Sequence, residues 1–349
     1  MNAVSVHSLA MAYPPHSLRQ DEVLAKAAEV FGHRAELMQR MAKSYGNAGV
    51  KQRNSCVPLE WYAAPHGWPE RMRLFEEHAL ALLTDAGRRA IESAGIAPAD
   101  IAATVTVSST GIATPSLDSL LQGPLGLLPT VQRLPVFGLG CAGGVIGLAR
   151  AAAMARALPG KAVLFMCAEL CGLTFRAGDD SKANIIGTTI FGDGAAAAIL
   201  CANGSEDHPR ITGWGEHTWP DSRGIMGWRV EDDGLGVVFS QSIPILVRER
   251  MREVTDTFLA TLGLTQADLA GMIMHPGGEK VVAALEACYG LPDGGLADAR
   301  DVLAEHGNMS AVTVLAVFEK ALARKARGKH LMAALGPGFS VGMCLLELL

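Results

Sequence analysis

Apolar residues recur along this chain with two different periods. Over residues 21–43 they fall at Val23, Leu24, Ala27, Val30 and Phe31, the three- and four-residue steps of a helix with one buried face. Residues 72–94 repeat that spacing with Phe75, Ala79, Leu82, Ala86 and Ala90, which predicts a second helix. Elsewhere short uncharged runs, 102–108, 134–139, 162–167 and 195–200, read as strands covered on both faces. Gly140-Cys141-Ala142-Gly143-Gly144 closes the second of these runs, and a helix over 145–157 follows, ended by Pro159-Gly160. A polar, Gly- and charge-rich stretch, 203–233, is the predicted passage between two halves, residues 1–210 and 211–349. The second half predicts a helix over 244–262, a strand at 272–274, helices after Pro276 and Met309, and strands at 330–335 and 341–348. Both halves alternate helices with buried strands, which makes the fold class α/β.

Composition narrows the function classes. Of 349 residues 49% are hydrophobic and 19% charged, which excludes a disordered chain. A net charge of -5 leaves no basic footprint, so no nucleic-acid partner is expected. The mean hydropathy of +0.23 raises the question of a membrane span. No uncharged run reaches the roughly 18–20 strongly apolar residues a spanning helix needs. The nearest, 331–346, is interrupted by Gly336, Pro337, Gly338 and Gly342 and reads as strand, turn and strand. The first residues lack the basic start and apolar core of a signal peptide. Seven cysteines, an odd number, therefore read as reduced thiols in a cytoplasm. Cys167 and Cys171 lack the second close pair of a structural zinc site, so no metal is expected.

Three residues stand out for chemistry. Cys141 sits where a strand ends and a helix begins, and the dipole of that helix end predicts a lowered thiol pKa and a nucleophile. A small buried cysteine is the plainer alternative. His275, in Met274-His275-Pro276-Gly277-Gly278, lies at a strand-to-loop junction and is aimed out of the sheet, as a catalytic or a structural imidazole. Asn308, in His306-Gly307-Asn308-Met309-Ser310, could equally cap the following helix. Together they form a Cys, His, Asn set at element ends, where α/β proteins gather catalytic groups.

The motifs GCAGG, HPGG and HGNMS, in that order, make the chain resemble the type III polyketide synthases, the chalcone-synthase-like family. Phe191-Gly192-Asp193-Gly194-Ala195-Ala196-Ala197 and the closing Gly336-Pro337-Gly338-Phe339 share the resemblance, which runs from Gln39 to the C-terminus and is weakest over 203–233. The ketoacyl synthase that starts bacterial fatty-acid synthesis has the same three residue types, but typically follows its His with Gln-Ala-Asn where this chain has Pro-Gly-Gly. The resemblance implies a thiolase-like fold, two similar α/β halves in a layered α-β-α-β-α arrangement, working as a homodimer. By motif match Cys141 takes the acyl starter from coenzyme A. His275 would hold it as a thiolate and, with Asn308, stabilise the enolate formed as malonyl-CoA loses carbon dioxide. No cofactor, metal or carrier protein is implied; coenzyme A thioesters are the substrates.

The same match makes Phe191 a gate between the coenzyme A tunnel and the cavity, and sets Val237 where the family has a second gating phenylalanine, which predicts a wider passage. Cys171, Thr174, Ser109, Thr110, Ser310 and Trp228 match cavity positions, with ordinary core packing as the alternative; Gly227 is the other candidate at Trp228's place, where plant enzymes have a glycine and an indole would narrow one side of the pocket. Arg40 matches a family arginine that binds coenzyme A phosphates, and Lys43 near it is a second candidate, with an exposed helix charge as the alternative. Cys171 and Val237 favour a long fatty acyl-CoA starter extended with malonyl-CoA to an alkylpyrone or alkylresorcinol. The alternatives are a tetrahydroxynaphthalene synthase using malonyl-CoA alone, a carrier-dependent fatty-acid condensing enzyme, and a catalytically silent partner subunit.

Overall fold

A computed structural model describes residues 3–202 and 207–349, without the side chains of residues 34, 35, 37, 39, 40 and 41. In chain order the strands are β1 (Val4–Ala12), β2 (His16–Arg19), β3 (Gln52–Ser55), β4 (Ile101–Ser108), β5 (Gln132–Phe137), β6 (Ala162–Leu170), β7 (Asp193–Ala202), β8 (Arg210–Thr218), β9 (Met226–Glu231), β10 (Gly234–Phe239), β11 (Gly271–Met274), β12 (Gly328–Gly336) and β13 (Ser340–Leu348). The helices are α1 (Gln20–Val30), α2 (Ala35–Gly46), α3 (Trp68–Ala94), α4 (Leu117–Leu121), α5 (Gly143–Ala157), α6 (Lys182–Ile190), α7 (Ile243–Thr261), α8 (Glu279–Tyr289), α9 (Ala297–His306) and α10 (Thr313–Ala323).

Nine strands form one sheet in the order β11-β12-β13-β8-β1-β7-β6-β4-β5. Its two sides repeat one pattern. β7 runs antiparallel to β1 and β6, and β4 parallel to β6. Likewise β13 runs antiparallel to β8 and β12, and β11 parallel to β12. The two similar halves meet where β1 and β8 pair at Val4 with Ile211 and Ser5 with Arg210. What the sequence predicts as two halves is therefore hydrogen-bonded into one sheet.

Alternation along the central strands decides what covers them. Leu164 and Met166 of β6, with Ala195, Ala197 and Ile199 of β7, pack against Phe75, Ala79, Leu83 and Ala86 of α3. The intervening Phe165, Ala196, Ala198 and Leu200 turn to the core that holds Val145, Leu148, Ala149 and Ala152 of α5. Each fully buried Leu, Phe or Met contributes roughly 1.5–3 kcal/mol. The other face of α5 meets the second half, where the Cys344 thiol donates to the Val145 carbonyl at 3.7 Å. The Ala- and Gly-rich composition of α5 is what allows a helix between two sheet regions at such short range.

Three predicted elements differ. The helix predicted over 21–43 is two helices, α1 and α2, separated by a 3-10 turn at Gly32–Arg34. β5 is the exposed edge of the sheet, with Phe137 55% exposed, and is not buried on both faces. The polar stretch over 203–233 contains β8 and β9, so part of it lies inside the sheet. Among the described residues no helix is long and apolar enough to cross a membrane.

Candidate active site

Two strand-to-helix passages and one helix-to-helix loop bring the predicted residues toward one region. β5 leads through the 3-10 turn Gly140–Ala142 into α5 and carries Cys141. β11 ends at Met274, immediately before His275. The loop after α9 carries Asn308 into the 3-10 turn Ser310–Val312 and α10. Glycine makes the first passage possible. Gly140 has φ +47, and a Cβ there would lie 2.5 Å from Cδ of Pro337, so the Cys141 turn is seated on the closing Gly-Pro-Gly turn. A Cβ on Gly144 would lie 2.1 Å from the Ala311 carbonyl, so α5 touches the Asn308 segment backbone to backbone.

The structure brings Cys141 and Asn308 together, with the thiol donating to Oδ1 of Asn308 at 4.0 Å. Asn308 is held at both ends of its amide. Oδ1 accepts from the Ser310 amide at 2.8 Å, and Nδ2 donates to the Gly277 carbonyl at 3.3 Å. The capping alternative is thus partly true, yet Nδ2 keeps a second hydrogen for a substrate oxygen. Gly277 belongs to the loop of His275, whose backbone amide donates to Ala333 at 3.0 Å. His275 is 5% exposed, and neither ring nitrogen has a protein partner among the described residues.

Burial sets the charge states. It pushes the His275 imidazole down to about 3, so the ring is neutral at physiological pH. It pushes the Cys141 thiol up to about 12; hydrogen bonding to Ser310 opposes the rise, and the nearby charge of Glu169 adds to it. The lowered thiol pKa predicted from the helix end is not found, because desolvation outweighs the end of a helix. The substrate-free site therefore holds a neutral thiol and a neutral imidazole. The imidazole is in the form that can accept the thiol proton as sulfur attacks.

One functional group was missed in the sequence. Glu169, near the end of β6, is fully buried and accepts from the Ser109 amide at 3.0 Å, the Thr110 hydroxyl at 2.8 Å and the Ser310 hydroxyl at 3.3 Å. Burial raises its carboxyl to about 7, so near neutral pH it exchanges a proton beside the Ser310 hydroxyl and the Cys141 sulfur. A lone acidic residue inside the apolar run 162–170 is the signal that could have found it. Ser109 and Thr110, predicted to line the pocket, line neither cavity described below. They hold the Glu169 carboxyl, and the Ser109 hydroxyl also accepts from the Gly140 amide at 2.9 Å.

Two cavities adjoin the site. The outer one is lined by Cys141, Ser310, Phe191, Trp228, Val237 and Phe239. The inner one is lined by Cys171, Thr174 and Phe175 and by Val23, Ala27 and Val30 of α1. Phe191 and Val237 border both, which is the position of a gate. A ring stands beside the position where the lost phenylalanine predicts a wider passage. Val237 faces Trp228 across the β9–β10 hairpin, and the Trp228 ring stands 6.0 Å from that of Phe191. The second ring is absent at 237 and present at 228. The Thr174 hydroxyl donates to the Cys171 carbonyl at 2.7 Å, tying down the wall beside that thiol. Arg40 lies in α2 with its side chain outside the described residues, and Lys43 is exposed in the last turn of that helix. Among the described residues no group of three His, Cys, Asp or Glu could hold a metal ion.

Residues 61–204 match the N-terminal domain of chalcone and stilbene synthases, and residues 215–347 match the C-terminal domain. The chain belongs to that family. This type III polyketide synthase, an acyltransferase by class, is 35% identical to a putative chalcone synthase of Bacillus subtilis (strain 168), over 97% of each chain. It is 36% identical to a 1,3,6,8-tetrahydroxynaphthalene synthase of Streptomyces peucetius subsp. caesius, over 98% of this chain and 93% of the relative. The crystal structure of PKS-I from the brown alga Ectocarpus siliculosus superposes with a TM-score of 0.93 at 26% identity, covering 100% of this synthase and 99% of that chain. The fold is the thiolase-like one of the type III synthases.

Proposed function

We propose that this synthase loads a long-chain fatty acyl-CoA on Cys141, extends it with malonyl-CoA and closes the product to an alkylpyrone or alkylresorcinol. In the first step the Cys141 sulfur attacks the acyl thioester while its proton passes to His275 and from there to the departing coenzyme A sulfur, which leaves as the thiol. Malonyl-CoA then loses carbon dioxide, and the electron pair of the broken bond moves into the thioester as an enolate. Nδ2 of Asn308 and the protonated face of His275 donate to its oxygen in a dry pocket, where such donors act strongly. The enolate carbon attacks the acyl carbonyl and expels the Cys141 sulfur, leaving the lengthened chain on coenzyme A. No group beyond the thioesters enters these steps. Arg40 is assigned to the coenzyme A phosphates by the match of motifs, with the nearby Lys43 as a second candidate.

The observation that carries the starter assignment is the apolar part of the inner cavity's wall, where Val23, Ala27 and Val30 of α1 join Cys171, although Lys26, Asn184 and Asp193 line the same cavity. That lining suits methylenes. The similarity to a tetrahydroxynaphthalene synthase at 36% identity favours a second reading, with malonyl-CoA as the only substrate. Incubation with malonyl-CoA, with and without lauroyl- to stearoyl-CoA, separates them by product mass. Alkylpyrones or alkylresorcinols and an acyl adduct on the Cys141 peptide are expected. Efficient naphthalene formation, unaffected by the fatty starters, would overturn the long-chain assignment. A homodimer in the cytoplasm completes the reading. The dimer is supported by the edge of β5, which has no second strand beside it among the described residues and exposes Phe137.

A further inference from the structure

Arg53 lies in β3, far in sequence from every motif, yet its guanidinium reaches the segment that joins the gate to the catalytic amide. The residue is 4% exposed. Nη1 donates to the carbonyls of Thr188 at 2.7 Å and Phe191 at 3.2 Å, and Nη2 donates to that of Thr189 at 3.3 Å. These oxygens belong to the last turn of α6 and the residue after it, where a helix cannot satisfy its own carbonyls and where positive charge is favoured.

The same stretch is fastened to the Asn308 segment. The Asn308 amide donates to Ile190 at 2.6 Å, and the Gly192 amide donates to the Asn308 carbonyl at 3.0 Å. Phe191 and Asn308 thus form an isolated parallel bridge. The stem of Arg53 packs across that bridge: a Cβ on Gly192 would lie 3.2 Å from Cβ of Arg53, and one on Gly307 would lie 3.5 Å from it. Among the described residues no carboxylate lies within ion-pairing distance of the guanidinium; its hydrogen-bond partners are these carbonyls, and the nearby Asp193 charge offsets only part of its burial. A charge buried on such terms is expensive, and a merely space-filling residue would not carry it.

We propose that Arg53 is a positioning residue that locks the Phe191 gate and the Asn308 amide into one unit, so that closing the cavity and aiming the amide at the enolate are a single geometric condition. This rests on the role of Asn308 given above. The test uses the full-length synthase with Arg53→Met, Arg53→Lys and Asn308→Ala. Three quantities are measured per folded molecule: acylation of Cys141 by intact mass, kcat for carbon dioxide release from malonyl-CoA, and its KM. With Arg53→Met, acylation should stay within about 2-fold of wild type while kcat for release falls about 10- to 100-fold at nearly constant KM, the size of loss a displacement near 1 Å produces. Arg53→Lys should recover part of kcat, because an ammonium can reach one carbonyl but not fork across three.

Wild-type release by folded Arg53→Met, or equal losses in acylation and release, would overturn the proposal. Should Arg53→Met not fold, Arg53→Lys decides by the same ratio of release to acylation: a lowered ratio supports the proposal and an unchanged one overturns it. Asn308→Ala keeps the two readings apart. Undiminished release in that variant removes the assigned role of Asn308 directly, whatever the Arg53 variants do.

Discussion

Gly144 offers a measured way to separate the two catalytic segments. An alanine Cβ there would stand 2.1 Å from the Ala311 carbonyl, which is backbone and cannot rotate aside. An ordinary carbon–oxygen contact is about 3.3 Å, so α5 and the Ser310–Val312 turn must part by about 1 Å. Cys141 precedes Gly144 by three residues and Asn308 precedes Ala311 by three, so the gap opens between the reacting groups themselves. The 4.0 Å from the Cys141 thiol to Asn308 should widen to about 5 Å, and a misplacement of that size costs about 10²-fold in rate. Stability should fall by up to about 2 kcal/mol, in this variant as in the control below. Alanine gains about 1 kcal/mol over glycine inside a helix, against about 1–3 kcal/mol for overpacking. Gly147→Ala is the control, since its Cβ would press Val107 at 2.5 Å and Phe165 at 2.9 Å, side chains of the sheet rather than the Asn308 segment. The assay is polyketide formation per folded molecule, with thermal melts alongside. Gly144→Ala should be folded and about 10²-fold slow, and Gly147→Ala should lose stability at near wild-type turnover. A folded Gly144→Ala variant at the wild-type rate, or equal losses of rate in both, would refute the reasoning.

Two further outcomes follow from the site. Burial raises Glu169 to about 7 from the ordinary 4.5, so between these values the folded protein binds a proton that the unfolded chain has released. Stability should fall as pH rises from 4.5 to 7 and level off above, and Glu169→Gln should flatten that decline in chemical denaturation. Asp193, raised to about 6, keeps the remaining slope; an unchanged slope in the variant would contradict the assignment. Trp228→Ala should shift starter selectivity toward bulkier acyl groups, and adding Val237→Phe should reverse the shift, because the two positions face each other across the hairpin. Competition between short and branched acyl-CoAs reads this, and identical selectivity in all three proteins would dismiss the ring pair as a gate.

Cys141, His275 and Asn308 were legible because each stands where an apolar run breaks at glycine or proline, a local signal. β4, β6, β7, β12 and β13 were legible for the same reason, since their uncharged runs carry the pattern within eight to ten positions. Arg53 was not, because Lys51-Gln52-Arg53-Asn54 reads as an exposed polar segment. Its burial comes from α6 carbonyls 135 or more residues away in sequence. β8 was hidden by its own alternation of Gly, Trp and charged residues, which mimics a linker. Trp228 and Val237 were each visible as departures, but their compensation depends on the register of a hairpin. The direction of the Cys141 shift was misjudged because a helix end is local and desolvation is a property of everything around it.

Of the described strands β1 is made first, and it lies at the middle of the finished sheet. Val4 pairs with Ala202 on one side and Ile211 on the other, so β1 cannot acquire either neighbour until some 200 further residues are made. At 5–20 residues per second that is roughly 10–40 s of synthesis. Closing a loop of that length costs about 5 kcal/mol of chain entropy before any contact rewards it. During that interval an apolar strand waits with both edges open, exposed to aggregation or to capture by a holdase. The seam that unites the two halves therefore also makes folding a late event, and the yield of active enzyme becomes a contest between translation speed and misassociation.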